Sequence, residues 1–395
     1  MSFSRSIGAA LTVALFACSN SNDQSVEAQT PAGIGAATRG ADSVAGVAPV
    51  AATSNETLLP AGDGRVPNEL GRIPVLEYHV IGGTDALFTR SAETFRRELE
   101  LLYERGYRPI SVSDLVDRRI DLPAGLSPVV FTFDDASPGQ FRYLEQGGRR
   151  VLDDTSALGM WKSLQRRHPD WGSRATFCLL SAAREGHAFF GEKGIQGQQS
   201  EWRFEKLRSL VDEGFELCGH TLWHARLDRY PDAAVQEQIA RGVLAIDSAV
   251  PGYKVRSFAL PLVMWPRRRE LASRGSWRDP RSGRDAKYSF DAVLMVAGGP
   301  SRSPHDPQFD PARIPRTIVS GNALVSLLDR LDRTGERYVS DGDPSTVARP
   351  QPTVASSSSA PEPRSVQKRK GPVPVSGRRS AGDAPSPKTG GSGGR

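Results

Sequence analysis

Between residues 71 and 344 the chain alternates short apolar runs with longer stretches whose apolar positions recur every three or four residues. The first pattern predicts strands and the second predicts helices packed on them. A strand is expected over 73–81, then a helix over 91–106 with Phe95, Leu99 and Leu102 on one face and Gly106 as its stop. A strand over 107–112 and a short helix over 113–119 follow. The run from Pro128 through Val129, Val130 and Phe131 to Phe133 reads as a buried strand that ends abruptly in two carboxylates, Asp134 and Asp135. A long connection through Gly139, Gln140 and Phe141 leads to a helix over 155–167, a strand over 175–180 and a helix over 201–214. Beyond these come a strand over 215–218, a helix over 231–249, strands over 256–262, 290–296 and 314–319, and a helix over 322–333. Such alternation implies a mostly parallel sheet or barrel with helices outside it.

Both flanks break the pattern. Residues 1–18 carry Arg5 and an apolar run from Ile7 to Ala17 that is too short to span a bilayer, so they read as an export signal. The run closes in Leu15-Phe16-Ala17-Cys18, which resembles a bacterial lipobox. Cys18 is then the expected lipidation site, and the protein is expected in the cell envelope on a lipid anchor, with plain secretion as the alternative. Residues 19–70 are rich in Ala, Gly, Ser and Thr with few large apolar groups, and read as a flexible linker. Residues 345–395 are rich in Ser, Pro, Gly, Lys and Arg and read as a disordered tail, either holding anionic envelope polymers or merely solvated. The formal charge of +6 is unevenly spread: the tail has nine Lys/Arg against two Asp/Glu, and the linker two Arg against six Asp/Glu. The domain between them is close to neutral, which excludes nucleic acid as its expected partner. Oligomeric state stays open at this level.

The candidate chemistry sits at two strand ends. Successive strand residues point to opposite sides, so Asp134 and Asp135 are suited to two different tasks, although a turn or helix cap also uses such pairs. Some ninety residues on, the strand ending at Cys218 runs into Gly219-His220-Thr221-Leu222-Trp223-His224. Histidines at i and i+4 share a face in a helical turn, a common way to hold a transition metal. One Asp with two His leaves a coordination position open, the pattern of a catalytic zinc site.

At these residues the chain resembles the polysaccharide deacetylases of carbohydrate esterase family four, the NodB-homology domain. The resemblance rests on Thr132-Phe133-Asp134-Asp135-Ala136 followed by His220-Thr221-Leu222-Trp223-His224. It extends from Ile73-Pro74-Val75-Leu76-Glu77-Tyr78-His79 through Ala175-Thr176-Phe177 to Ala259-Leu260-Pro261 and Ile314-Pro315-Arg316. It implies a distorted (β/α) barrel, with both motifs at the strand C-terminal ends where barrel enzymes place their sites. It further implies a divalent metal, zinc by expectation, held by Asp135, His220 and His224, with Asp134 as general base. The backbone N–H of Leu262, next to Pro261, would bind the oxyanion, and Arg256 would orient the base. The implied substrate is an N-acetylated polysaccharide such as peptidoglycan, an exopolysaccharide or a chitin-like polymer.

Several positions depart from the family pattern. Ala136 stands where Gly is usual, and Leu262 where an aromatic residue is common. No L-x-H motif stands near the C-terminal end, where the family places the histidine that protonates the leaving amine, which leaves His305 and His79 as the substitute acids. A general acid is worth about 10²- to 10⁴-fold, so two alternatives stand beside N-deacetylation: a non-catalytic carbohydrate-binding lipoprotein, and a metal-dependent amidase on a small molecule. Cys178 and Cys218 lie in apolar strands and are expected as buried free thiols.

Overall fold

The computed structural model describes residues 64–349 apart from 183–187 and 193, so the expected export signal with Cys18, most of the linker and the tail past Arg349 lie outside the described residues. From the N-terminal side run β1 (Val75–Tyr78), β2 (Val80–Ile81), β3 (Thr89–Arg90), α1 (Ala92–Glu104), β4 (Tyr107–Ile110), α2 (Val112–Val116) and β5 (Ser127–Phe133). Next come the hairpin of β6 (Tyr143–Gln146) and β7 (Arg149–Leu152), α3 (Ala157–Arg167), β8 (Thr176–Leu179), α4 (Arg203–Asp212) and β9 (Glu216–Gly219). The rest comprises α5 (Asp232–Ala249), β10 (Ser257–Ala259), the hairpin of β11 (Arg274–Arg278) and β12 (Asp285–Ser289), β13 (Ala292–Leu294), β14 (Thr317–Ile318) and α6 (Ala323–Thr334).

Seven of these strands form a parallel sheet in the order β13, β10, β9, β8, β5, β1, β14, and β4 pairs with the first half of β5 as an eighth. A parallel bridge between Leu294 and Ile314 joins β13 to the segment entering β14, so the sheet curls back on itself as a distorted (β/α) barrel. All residues of β5 are buried, which is why its sequence is a continuous apolar run instead of an alternation. Phe131, Phe133, Phe177 and Phe215 pack with Trp161 and Trp171 into the core on one side of the sheet. The helix over α1 starts where Ser91 Oγ accepts the Thr94 N–H, and it buries Phe95, Leu99 and Leu102 as its periodicity predicts.

Three features differ from the sequence reading. The β2–β3 pair and both hairpins are additional elements; Gly147 and Gly148, each at positive φ, make the two-residue turn that joins β6 to β7. Order also extends past the expected boundaries, since Glu69 and Ala348 exchange hydrogen bonds. Finally, Cys178 and Cys218 are not free thiols. They face each other across β8 and β9 in register and form a disulfide, because adjacent parallel strands bring the two side chains onto one face, a pairing that apolar runs alone do not reveal. Replacing both cysteines by alanine is expected to lower the unfolding free energy by about 2–4 kcal/mol, read from urea denaturation; an unchanged midpoint would mean that the cross-link contributes nothing to stability.

Candidate active site

The site lies where β1, β5, β9 and β10 end. Beyond Phe133 the chain turns through Asp135 at φ 71° and Ala136 at φ 50°. The left-handed region costs a residue with a Cβ roughly 1–2 kcal/mol, which is the physical reason glycine suits the position of Ala136. The turn separates the two carboxylates, as the strand alternation requires. Asp134 is fully buried and receives both terminal nitrogens of Arg316, Nη1 to Oδ1 at 2.7 Å and Nη2 to Oδ2 at 2.8 Å. Asp135 turns instead to the histidines: its Oδ1 stands 3.2 Å from His220 Nε2 and 3.7 Å from His224 Nε2.

The histidines meet by a different route from the helical turn expected. Thr221 and His224 are themselves left-handed, at φ 69° and 64°, and Thr221 Oγ1 accepts the N–H groups of His224 and Ala225. The segment is therefore a tight turn that sets the two rings 5.0 Å apart, tilted by 50°. His220 Nδ1 donates to the Ala259 carbonyl at 2.8 Å, which fixes that ring's proton there and directs the Nε2 lone pair at Asp135. That buried Nε2 has no hydrogen-bond partner. Two electron-rich atoms 3.2 Å apart call for a cation between them, and one ligand atom from each of Asp135, His220 and His224 lies within 4.8 Å of the others. This donor set fits a divalent metal.

The electrostatics divide the two aspartates. Burial opposes ionisation of Asp134, but the Arg316 guanidinium outweighs it and holds the carboxyl below its ordinary range. Asp135 is also held far below that range against its burial by His220, His79 and His224. In the absence of a metal, burial and then the neighbouring His220 pull His224 down to about 4, so it is neutral and ready to ligate near pH 7.

The remaining predicted residues separate. Leu262 follows β10 in a 3-10 turn at φ 56°, three residues after the carbonyl that binds His220. Arg256 does not reach the base: it precedes β10 at the opposite end of the strand, where it pairs with Asp117 and Asp291. Its expected place beside Asp134 is taken by Arg316, which enters from the last strand, also donates its Nε–H to the Met295 carbonyl, and lies 3.2 Å from Glu77 Oε2. His305 is likewise excluded as the substitute acid, because its charged neighbours are Glu69 and Arg118, away from the carboxylates. His79 does belong to the site. It follows β1, lies 3.4 Å from the buried Glu77 and packs its ring on Phe88 at 4.7 Å. Glu77, His79 and Asp134 form a second group of closely spaced polar atoms directly beside the first. Burial raises the Glu77 carboxyl well above its ordinary range and lowers His79.

Glu77 and Arg316 were missed by sequence reasoning, although each stands as a lone charge within an apolar strand, in Val75-Leu76-Glu77-Tyr78 and Ile314-Pro315-Arg316-Thr317-Ile318. A charge in such a place is almost always paired when buried, and that was the available signal.

The polysaccharide deacetylase family model matches residues 169–274. The matched stretch contains His220, His224 and Leu262. Among solved structures, the Streptococcus pyogenes deacetylase PplD is 15% identical over 65% of this chain and 97% of its own, with a TM-score of 0.45. IcaB from Ammonifex degensii is 18% identical over 67% and 98%, also at 0.45. A polysaccharide deacetylase from Bacillus cereus is 15% identical over 66% and 68%, again at 0.45. No curated protein matches the sequence. Among the described residues, no helix is long and apolar enough to cross a membrane.

Proposed function

We propose that the chain is a metal-dependent hydrolase that removes N-acetyl groups from an N-acetylhexosamine polymer. The observation that carries this reading is the division of labour between the two aspartates, one beside two histidines and one held ionised by a buried arginine. Asp135, His220 and His224 hold the metal, zinc being the ion their donor atoms suit best. When bound, such an ion supplies Lewis acidity toward the acetamide carbonyl and lowers the pKa of water to about 7. Asp134, ionised and fixed by Arg316, takes the proton of the attacking water. The N–H of Leu262 stabilises the charge that develops on the carbonyl oxygen. His79, whose protonated form Asp135 and Asp134 favour against the burial that opposes it, donates a proton to the departing amine.

Support for a polymer comes from the rim. Trp223 beside His224, Phe88 against His79 and Val263 beside Leu262 are 46%, 42% and 50% exposed, so apolar surface suited to sugar rings stands around the carboxylates. The intact pairing of Asp134 with Arg316 favours catalysis over a purely binding role. We place the enzyme in the cell envelope through lipidation at Cys18; changing Cys18 to Ser is expected to release it from membranes, and unchanged fractionation would remove the anchor.

The direct test is acetate release by the purified protein from chito-oligosaccharides and peptidoglycan, before and after chelation and with zinc restored. Release that vanishes on chelation and returns with zinc is expected. His79→Ala is expected to lower the zinc-restored rate about 10²-fold or more; a variant as fast as wild type would take the acid role away from His79. Metal binding without release from any substrate would overturn the deacetylase reading.

A further inference from the structure

Lys206, on α4, is a buried ionisable group that the chemistry above leaves unused. Its side chain is fully buried, and its Nζ donates to the Phe190 carbonyl at 2.9 Å and to Gln198 Oε1 at 2.7 Å. The ammonium also lies 5.6 Å from the ring centre of Phe141 and 5.7 Å from that of Tyr143. Its two hydrogen-bond partners are neutral oxygens. A buried lysine without a carboxylate partner is costly to keep, and burial, then Arg142, pulls it down to about 7. What it holds accounts for its presence.

Phe189, Phe190 and Gly191 are three consecutive left-handed residues, at φ 46°, 67° and 98°. Gly191 is confined as well as strained, since an added Cβ would stand 3.0 Å from both Gln198 Cβ and Pro138 Cγ. The Phe190 N–H donates to the Ala136 carbonyl at 2.9 Å. One peptide unit on either side of Phe190 therefore links Lys206 to the turn that aims Asp135. The Phe190 ring packs against Phe177, which stacks on Phe133 immediately before Asp134. Two strained turns thus lean on each other, and the ammonium fixes the outer one.

We propose that Lys206 is a positioning residue for the metal site: by holding the Phe190 carbonyl it fixes the Phe190–Ala136 hydrogen bond, and through it the left-handed Asp135–Ala136 turn that directs the Asp135 carboxylate at His220 and His224. Lys206 touches none of the three ligands and acts only through backbone. Asp134 is set by its strand and by Arg316, so the effect falls on metal affinity. The proposal rests on the reading of Asp135, His220 and His224 as metal ligands.

The test uses the full-length protein stripped of metal and measures Zn²⁺ affinity by competition with a chromophoric chelator, with the Co²⁺ absorption spectrum as a second readout. Lys206→Met, which keeps the length of the chain and loses both donated bonds, is expected to weaken Zn²⁺ binding about 10- to 100-fold and to alter the Co²⁺ bands. Leu331→Ala, buried in α6, the helix that packs on β14, serves as a control that lowers stability and is expected to keep wild-type Zn²⁺ affinity. Gly191→Ala disturbs the same turn with the lysine intact and is expected to weaken Zn²⁺ binding in the same range. Wild-type affinity and an unchanged Co²⁺ spectrum in folded Lys206→Met or Gly191→Ala would overturn the proposal. Failure of the unaltered protein to bind either ion would instead refute the ligand assignment itself.

Discussion

Asp134→Asn is expected to lower turnover by about 10²- to 10⁴-fold while metal stoichiometry stays at the wild-type value. The amide keeps the size of the carboxylate but has no basic oxygen to receive a proton. Metal should be retained because the two aspartates are anchored separately: Asp135 Oδ1 lies 3.2 Å from His220 Nε2, whereas the nearer Asp134 oxygen is 3.9 Å away and already engaged by Arg316. Acetate release and elemental analysis of the same preparation read the two quantities independently. Full activity would remove Asp134 from the base role, and loss of metal would make it a ligand.

Arg316→Met is expected to have the largest effect on stability. Arg316, Asp134 and Glu77 are all almost completely buried, so removal of the guanidinium strands two carboxylates away from water. Breaking a buried pair from one side costs about 3–5 kcal/mol, measurable by urea denaturation near pH 7. Activity reports the same event through pH. Burial raises the Asp134 carboxyl and Arg316 lowers it, the latter prevailing in the intact protein. Without Arg316 the folded-state pKa rises, the basic form needs a higher pH, and the acid limb of kcat/KM moves upward. Arg316→Lys, which keeps the charge but cannot make the two-pronged contact, should fall between. An acid limb that stayed in place in the folded Met variant would show that another group governs the base.

The barrel was legible because its buried strands are continuous apolar runs and its helices carry regular stripes, as in β5 and α1. Asp134–Asp135 and His220…His224 were legible for a related reason, being local in sequence at the ends of such runs. What stayed hidden is long-range. Arg316 and Asp134 are 182 residues apart, and nothing along the chain distinguishes that pairing from one with Arg256. Arg256 stands next to the motif Ala259-Leu260-Pro261, but a strand's length separates its position before β10 from the site beyond it. The disulfide depended on the register of β8 against β9, and the small hairpins on turn residues with weak patterns beside them. Local backbone was misread once, at His220–His224, where two left-handed residues achieve in a turn what a helix was expected to supply.

The closing strand carries one more implication. β14 and the segment before it complete the ring beside β1, and the same segment brings Arg316 to Asp134. Ribosomal synthesis delivers the chain from its N-terminus, so Asp135, His220 and His224 all emerge before the guanidinium that sets the base. A truncated product ending between residues 224 and 316 therefore has a full set of ligands and an open ring, with Asp134 and Glu77 lacking their shared counter-charge. Ring closure and readiness for hydrolysis are thereby tied to the same few residues, and a premature stop codon anywhere upstream of them yields an inert fragment instead of a slow enzyme.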